Sequence, residues 1–436
     1  MSTTTESTGT TGSGNALHDA FFALHHGLPR QGPGSDTTTR RLLSLAGPLP
    51  ERPRVLDLGC GPGRSALLLA AEAGAEVTAV DLHEPFLAEL RDTAAARGLD
   101  TRIHTLRADM GALDELPDGS FDLVWAESSA WVIGFDRALA EWRRLLAPWG
   151  SPRTKSGGGT LVLTECVWTT EEPGDQARAF WEEHYRLRTV AENAAAAVGA
   201  GFHLLGTHLQ PEDDWDAYYG PLASHADAAD LTVPGMAEAV AGARAEIALR
   251  REHGGDYGYA GFVLRAADPR WRTREETAAD VPRVREINAA AFATPDEAGL
   301  VDALREDPDA WLPGLSYVAE APDGTVAAYA LITRCRVDGV PAAALAPVAV
   351  APAYQRTGAG QAVVRAVLDA ARLRGERLVL VLGHPEYYPR FGFVRASEYG
   401  IRPTFEVPDE AMMALDLDGS GAVTRGTISY PSAFGV

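Results

Sequence analysis

Lysine is almost absent from this chain: Lys155 is the only one, so arginine carries nearly all of the positive charge. Acids outnumber bases, 60 Asp and Glu against 39 Lys and Arg, and the formal charge is -21. A surface of that sign argues against a nucleic-acid backbone as the main partner and leaves small molecules as the better expectation. Cysteine is scarce as well. Cys60, Cys166 and Cys335 are scattered, with no CxxC pair. That pattern fits reduced, buried thiols in a cytoplasmic protein better than disulfides or a metal site. No apolar run approaches the roughly 18 residues that span a bilayer, so no membrane partner is expected. The opening MSTTTESTGTTGSGN, residues 1–15, lacks the basic and apolar regions of a signal peptide and reads as a disordered tail. What is present is length and apolar content: 436 residues, 46% hydrophobic, enough for two or three domains with real cores.

The most informative stretch of the first half is RVLDLGCGPG, residues 54–63. Val55, Leu56 and Leu58 form a short apolar run around Asp57, and glycines follow at alternate positions, Gly59, Gly61 and Gly63. This is how a buried parallel strand reads when it ends in a turn that offers backbone N–H groups to a ligand. Helix formers follow at 65–73, so the helix N-terminus adds partial positive charge at the turn. A second strand, EVTAVD at 76–81, ends in an acid 18 residues after Gly63, near the offset at which such an acid reaches ribose hydroxyls. A helix at 85–97, a third strand before Asp109 and Met110, and a fourth strand at 121–126 followed by Glu127 continue the alternation. A helix over 137–146 and a fifth strand at 160–166 complete it, with a mobile Gly/Ser-rich loop, PWGSPRTKSGGG, between them. Helix at 180–198, strand at 202–209, further helix and a strand at 257–265 close the unit. The expected fold is a doubly wound α/β sheet.

Ahead of the glycine turn, ALHDAFFALHH predicts an amphipathic helix, and Ser35 or Asp36 is placed to cap a second. The loop 29–35 between them, with Arg30 and Gln31, either folds over a ligand or simply joins two helices. His25 and His26 are adjacent, so they point to different helix faces and make a poor metal pair.

VLDLGCGPG, Asp81, the ADM at 108–110 and FDLVWAE at 121–127 together resemble a class I S-adenosylmethionine-dependent methyltransferase, over residues 16–267. The resemblance implies that Gly59, Gly61 and Gly63 line the methionine and ribose side of S-adenosyl-L-methionine. It places Asp81 on the ribose hydroxyls with Leu82 beside it, Asp109 on the adenine amine and Met110 on the adenine ring. Asp57 would orient the turn or meet the methionine amino group. A nicotinamide dehydrogenase is the competing reading, but its GxGxxG fingerprint needs a glycine where Arg64 stands, and the pattern here is GxGxG. Methyl transfer from a sulfonium rests mainly on alignment, and a base helps only where the acceptor is protonated. Glu127 is the candidate base, with Glu165 behind it; the alternative is that Glu127 only bonds backbone at the pocket rim. Trp131, Trp181, Trp215, Tyr218 and Tyr219 either wall an acceptor pocket or, more commonly for such rings, pack the core.

A short connector, AADP at 266–269, leads to the second half. A strand at 271–275, a helix at 280–291 capped by Asp280, and strands at 315–320 and 325–336 joined by Pro-Asp-Gly come first. The strand at 342–350 has its ladder interrupted by Pro347, and a strand at 378–382 follows a long amphipathic helix. The segment Gln355, Arg356, Thr357, Gly358, Ala359, Gly360 opens that helix. Successive N–H groups there, unhindered at the two glycines, form a pyrophosphate cradle, and no Gly-Lys-Ser/Thr follows to make it a nucleotide P-loop. With LAPVAV before it and YYPRFGF after it, the segment resembles the GNAT acyltransferase family, over residues 270–436. The resemblance puts the pyrophosphate of acetyl-CoA on 355–360 and its pantetheine along the backbone of Val348 and Val350. It makes Tyr388 the donor to the departing thiolate, for which a phenol is suited. For the amine, Glu297, His384 or a water chain is left as base.

The expectation is a mixed α/β fusion: a Rossmann-like methyltransferase sheet at 16–267, then a GNAT N-acetyltransferase domain at 270–436. Its cofactors would be S-adenosyl-L-methionine and acetyl-CoA, and its partners small-molecule acceptors. The alternative is that one half binds its cofactor as a sensor without turnover.

Overall fold

The computed structural model describes residues 11–154, 157–419 and 421–435. The chain divides into two compact units. One runs up to Ala147 and takes in Gly159–Ala196 and Thr207–Val263; the other comprises Pro148–Gly158, Ala197–Gly206 and the chain from Leu264 onward. Residues 1–10 of the expected tail lie outside the described residues, as do 155 and 156 of the expected mobile loop. Helix α1 spans Thr11–His25, so it already includes the last five residues of the stretch read as a tail.

The first sheet begins with β1 (Arg54–Leu58), β2 (Glu76–Asp81), β3 (Ile103–Arg107) and β4 (Leu123–Ala126). It continues with β5 (Thr160–Trp168), β6 (Arg188–Thr189), β7 (Phe202–Leu209) and β8 (Tyr257–Ala266). Their order is β3-β2-β1-β4-β5-β8-β7, with β6 beside β5. β1 pairs in parallel with both β2 and β4, so the chain order reverses between β1 and β4. In open α/β sheets the crevice outside the strand ends at that reversal is where ligands sit. Val55, Leu56 and Leu58 of β1 and all four residues of β4 are buried, as their near-continuous apolar runs require. Asp57 is the one acid inside the run, and it is buried with its neighbours.

Four helices flank these strands in sequence: α2 (Asp36–Leu45), α3 (Arg64–Glu72), α4 (Glu84–Ala96) and α5 (Phe135–Trp142). Ser35 caps α2 by accepting from the Thr38 N–H. The helix expected over 180–198 is instead α6 (Asp175–His184) and α7 (Val190–Gly199), separated by the extended residue Tyr185 and by β6. Thr189 and Glu192 explain the restart. Glu192 accepts from the Thr189 N–H at 2.7 Å, and Thr189 Oγ1 accepts from the Glu192 N–H at 3.2 Å, a reciprocal capping box. Helices α8 (Glu212–Ala228) and α9 (Met236–His253) precede β8.

The second sheet contains β9 (Arg272–Glu275), β10 (Trp311–Glu320), β11 (Val326–Val337), β12 (Val340–Val350) and β13 (Leu378–Leu382). Four short strands follow: β14 (Val394–Arg395), β15 (Ile401–Arg402), β16 (Met412–Asp416) and β17 (Gly426–Ser429). The order is β14-β16-β13-β12-β11-β10-β9, with β17 beside β11 and β15. The β11–β12 register slips by one residue between Ala330↔Val348 and Ile332↔Leu345, which places the bulge at Ala346 and Pro347. Beyond it the sheet splays. β12 pairs with β13 only at Ala343 and Ala344, although it continues to Val350.

Helix α10 (Val281–Ala291) starts at Asp280 as expected, but the Asp280 carboxylate does not cap it. It accepts from Arg274 and Thr277 instead. Helix α11 (Asp296–Glu306) has no counterpart in the sequence reading. Helix α12 (Ala359–Leu373) buries Val363, Val364, Val367 and Ala371 in the core of this sheet, consistent with its apolar stripe.

Candidate functional sites

At the carboxyl end of β1 lies a cavity of about 60 Å³, lined by Asp57, Gly59, Gly61, Glu127, Arg30 and Gln31 among others. The turn above it is built from the acid at the end of β2. Asp81 accepts from the Gly61 N–H at 2.9 Å with one oxygen and from the His83 N–H at 2.8 Å with the other. A Cβ on Gly59 would lie 2.5 Å from Ser129 Cβ and 3.0 Å from Met110 Cε, so the backbone there touches the loops after β3 and β4 directly. Gly63 has a different reason to be glycine. Its Cβ would lie 2.2 Å from Leu90 Cδ1, so α4 packing excludes a side chain, and Gly63 does not line the cavity. Leu82 is exposed and Asp109 accepts from the Gly111 N–H at 2.8 Å, with Met110 half-buried beside it.

Asp57 is the feature that fits a cationic ligand. Its side chain is buried, and Oδ2 has no hydrogen-bond partner. Burial first, and then the charge of Glu127, push its carboxyl up to about 8. An enclosed carboxyl oxygen without a donor, beside bare glycine backbone, is suited to an ammonium group.

Glu127 is placed differently from a free base. Its Oε2 accepts from Arg30 Nη1 at 2.5 Å, and its Oε1 accepts from Thr39 Oγ1 at 2.7 Å and Trp125 Nε1 at 3.0 Å. Arg30 also donates to Asp36, which takes both arms of Arg64. Glu127 thus anchors the 29–33 loop across the cavity. Glu165 is buried with Oε2 unpartnered, its carboxyl pushed up to about 8 by burial. Of the aromatic candidates, Trp215, Tyr218 and Tyr219 are core residues, Trp181 packs against them, and Trp131 is exposed. His25 donates from Nδ1 to the Phe21 carbonyl and meets Tyr218 Oη at Nε2, a packing role. Among the described residues no His, Cys, Asp and Glu group is arranged to hold a metal.

The second site is larger. A cavity of about 560 Å³ is lined by Val348, Val350, Gln355, Gly358, Gly360 and Tyr388, together with Arg356, His384, Tyr387 and Arg390. Val348 and Val350, two apart on β12, present one strand face to it beyond the point where β13 leaves. Gly358 has φ 107° at the start of α12, and a Cβ on Gly360 would lie 3.0 Å from Tyr387 Oη. Two side chains of the expected cradle lie off the cavity, which leaves only their backbone to face a ligand. Thr357 Oγ1 donates to the Tyr354 carbonyl, and Ala359 is buried in the sheet core.

Tyr388 begins a short 3-10 turn, residues Tyr388–Phe391, that ends on Gly392 at φ 96°. Burial pushes its phenol well above the ordinary range, so it is protonated at neutral pH. The ring lies against Gly383, where a Cβ would come within 2.3 Å of Cε2; only glycine leaves the ring its place. Tyr387 is pushed up to about 12 by burial, and the Arg390 guanidinium lies 4.6 Å from its ring centroid. His384 shares the cavity with Tyr388, whereas Glu297 lies on α11 and is not among its lining residues. Gly383, Tyr387 and Arg390 were not anticipated; the tyrosine pair and the Gly383-His384-Pro385 turn were the available signals.

The two cavities lie in two separate α/β units, and comparison with known proteins gives each unit a family. A model described as a methyltransferase domain matches residues 55–150, and one for the acetyltransferase (GNAT) family matches 281–393. An uncharacterized N-acetyltransferase, YjhQ of Escherichia coli, is 38% identical over 30% of this chain and 74% of its own. A 27-O-demethylrifamycin SV methyltransferase of Amycolatopsis mediterranei is 31% identical over 44% of this chain and 68% of its own. A solved GNAT N-acetyltransferase (YhbS) of Escherichia coli in complex with CoA shares 29% identity. It covers 38% of this chain and 93% of its own, at a TM-score of 0.36. The chain belongs to both families, as a fusion of a methyltransferase domain with a GNAT acetyltransferase domain. No helix among the described residues is long and apolar enough to cross a membrane.

Proposed function

We propose that this fusion is a bifunctional small-molecule transferase, moving a methyl group from S-adenosyl-L-methionine and an acetyl group from acetyl-CoA to an amine. The observation that carries the reading is the common cavity of Tyr388 and the 355–360 loop. A protonated phenol and a glycine turn at a helix start share one ligand-sized space, which supports the reading. Bound S-adenosylmethionine supplies an activated methyl group, and bound acetyl-CoA supplies an acyl thioester. In the first domain Asp57 would hold the amino group of the cofactor, Asp81 the ribose hydroxyls, and Asp109 with Leu82 and Met110 the adenine. Orientation then does most of the catalytic work. In the second, the amides of residues 355–360 would hold the pyrophosphate while Tyr388 gives a proton to the departing thiolate. The proton released by the attacking amine goes to His384 or to water.

The test is a screen of amine metabolites with each cofactor, read by mass spectrometry. A cofactor-dependent gain of one methyl or one acetyl group is the expected result. Cofactor binding at both sites without any gain across the screen would favour a sensor role.

A further inference from the structure

The residues just before β9 lie against the start of α12. A Cβ built on Gly358 would have three neighbours: Trp271 Nε1 at 3.3 Å, Asp268 Oδ2 at 3.4 Å and Arg270 Nη2 at 3.6 Å. All three come from the segment 268–271, where the sequence reading has the end of a connector (266–269), the first residue of the second domain and the start of a strand. Asp268 is buried, and its oxygens accept from the Arg270 N–H, Nε and Nη2, the last at 2.7 Å. A buried carboxylate beside an anion seat would repel its ligand, but here the charge is matched by the guanidinium it grips. That grip fixes Arg270 in place, while its side chain stays 61% exposed. The indole N–H of Trp271 is buried and has no acceptor. Two donors from this segment therefore flank the glycine on which the phosphate-binding turn depends.

Resting on the acetyl-CoA reading of this cavity, we infer that residues 268–271, which stand behind Gly358 and are not among the residues lining the cavity, back its diphosphate seat. Arg270 supplies the cation, Asp268 orients it, and the Trp271 N–H faces the same turn. Arginine suits the role because its planar fork can hold Asp268 with one edge and still offer Nη1 to a phosphate oxygen. The family resemblance assigns only the 355–360 backbone to that task, so the connector would be part of the cofactor site.

The experiment is calorimetric titration of the full chain with CoA and with 3′-dephospho-CoA. Variants Arg270→Ala, Arg270→Gln and Trp271→Phe are compared at low and high salt, with thermal unfolding as a check on folding. Arg270→Ala and Arg270→Gln are expected to weaken both ligands by the same factor, about 5- to 30-fold at low salt, with the loss shrinking as salt rises. Arg270→Gln keeps donors for Asp268, so a loss shared by both variants is a loss of charge and not of fold. A loss for CoA but not dephospho-CoA would move Arg270 to the 3′-phosphate and overturn the diphosphate assignment. Unchanged affinity in both Arg270 variants would overturn the inference while leaving the acetyl-CoA reading in place. No CoA binding by the unaltered chain would overturn that reading itself.

Discussion

The two sites of this chain start from the same parts, a strand end, a glycine turn and a helix N-terminus, and then differ in whether carboxylates match their guanidiniums. Around the first, buried Asp57 with its unpartnered oxygen and Glu127 share the lining with the guanidiniums of Arg30 and Arg64. Around the second stand guanidiniums: Arg356 and Arg390 in the cavity and Arg270 beside it. On the proposed reading the first would take a cofactor whose reactive end is a sulfonium with an ammonium nearby, the second a cofactor that carries phosphates. A net charge of -21 conceals this contrast, because local sign is set by a handful of side chains. Space differs too. The first cavity, about 60 Å³, is crossed by Arg30 reaching Glu127; the second, about 560 Å³, lies open along the unpaired end of β12.

The largest expected effect separates chemistry from binding in the second site. Tyr388→Phe should lower acetyl-transfer turnover by about 10²–10⁴-fold, the contribution of a positioned general acid, with acetyl-CoA affinity kept. Normal turnover would take the tyrosine out of the mechanism. Gly358→Glu should weaken acetyl-CoA by about 100-fold or more, since a charged side chain would enter an anion seat at φ 107° against Asp268 and Trp271. The same variant should titrate with S-adenosylmethionine as the unaltered chain does.

For the first site, Asp81→Ala should cost about 1–3 kcal/mol of S-adenosylmethionine affinity. It removes a ribose acceptor and also frees the Gly61 and His83 amides that hold the turn. Equal affinity in calorimetry would mean the acid is a strand-end residue only. Asp57 adds a pH signature. A carboxyl raised to about 8 is protonated below that pH, so pairing with an ammonium releases a proton and binding strengthens as pH rises toward 8. The loss should approach about tenfold per pH unit on the acid side. Asp57→Asn should flatten the profile, and a flat profile in the unaltered chain would place the ammonium elsewhere. In the free fold the same shift has the opposite sense: stability contributed by Asp57 falls as pH climbs from the ordinary carboxylate value of 3.8 toward 8.

The smallest effect sharpens the contrast between base and anchor. Glu127→Gln should reduce methyl transfer by less than about tenfold, because a base would be worth about 10²–10⁴ and this carboxylate is engaged by Arg30, Thr39 and Trp125. A thousandfold fall would restore it as the base.

What could be read in advance was local. The apolar run of β1, the glycine turn, the acid ending β2 and the QRTGAG loop are each contiguous, and each lies in the element expected of it. The break at 185–189 was legible in principle, because Thr189 and Glu192 have capping-box spacing inside an otherwise helical composition. Helix α11 was not, since DEAGLVDALRE buries only Ala298, Val301 and Leu304 among its residues. Asp280 stands where a cap belongs but is taken by Arg274, a competition that depends on tertiary placement. The Arg30–Glu127 pair joins residues 97 apart, and Arg270 meets Gly358 across 88. Contacts at such separation leave no periodic trace in one sequence, so neither the Arg30–Glu127 pair nor the approach of Arg270 to Gly358 could be read there.

Two independent cofactor sites on one chain should load together. Calorimetry of the full chain with S-adenosylmethionine, then with acetyl-CoA on the saturated complex, tests it directly. The account predicts one equivalent of each, bound together, with Asp81→Ala weakening only the first and Gly358→Glu only the second. Mutual exclusion, or displacement of S-adenosylmethionine by a nicotinamide dinucleotide, would contradict it.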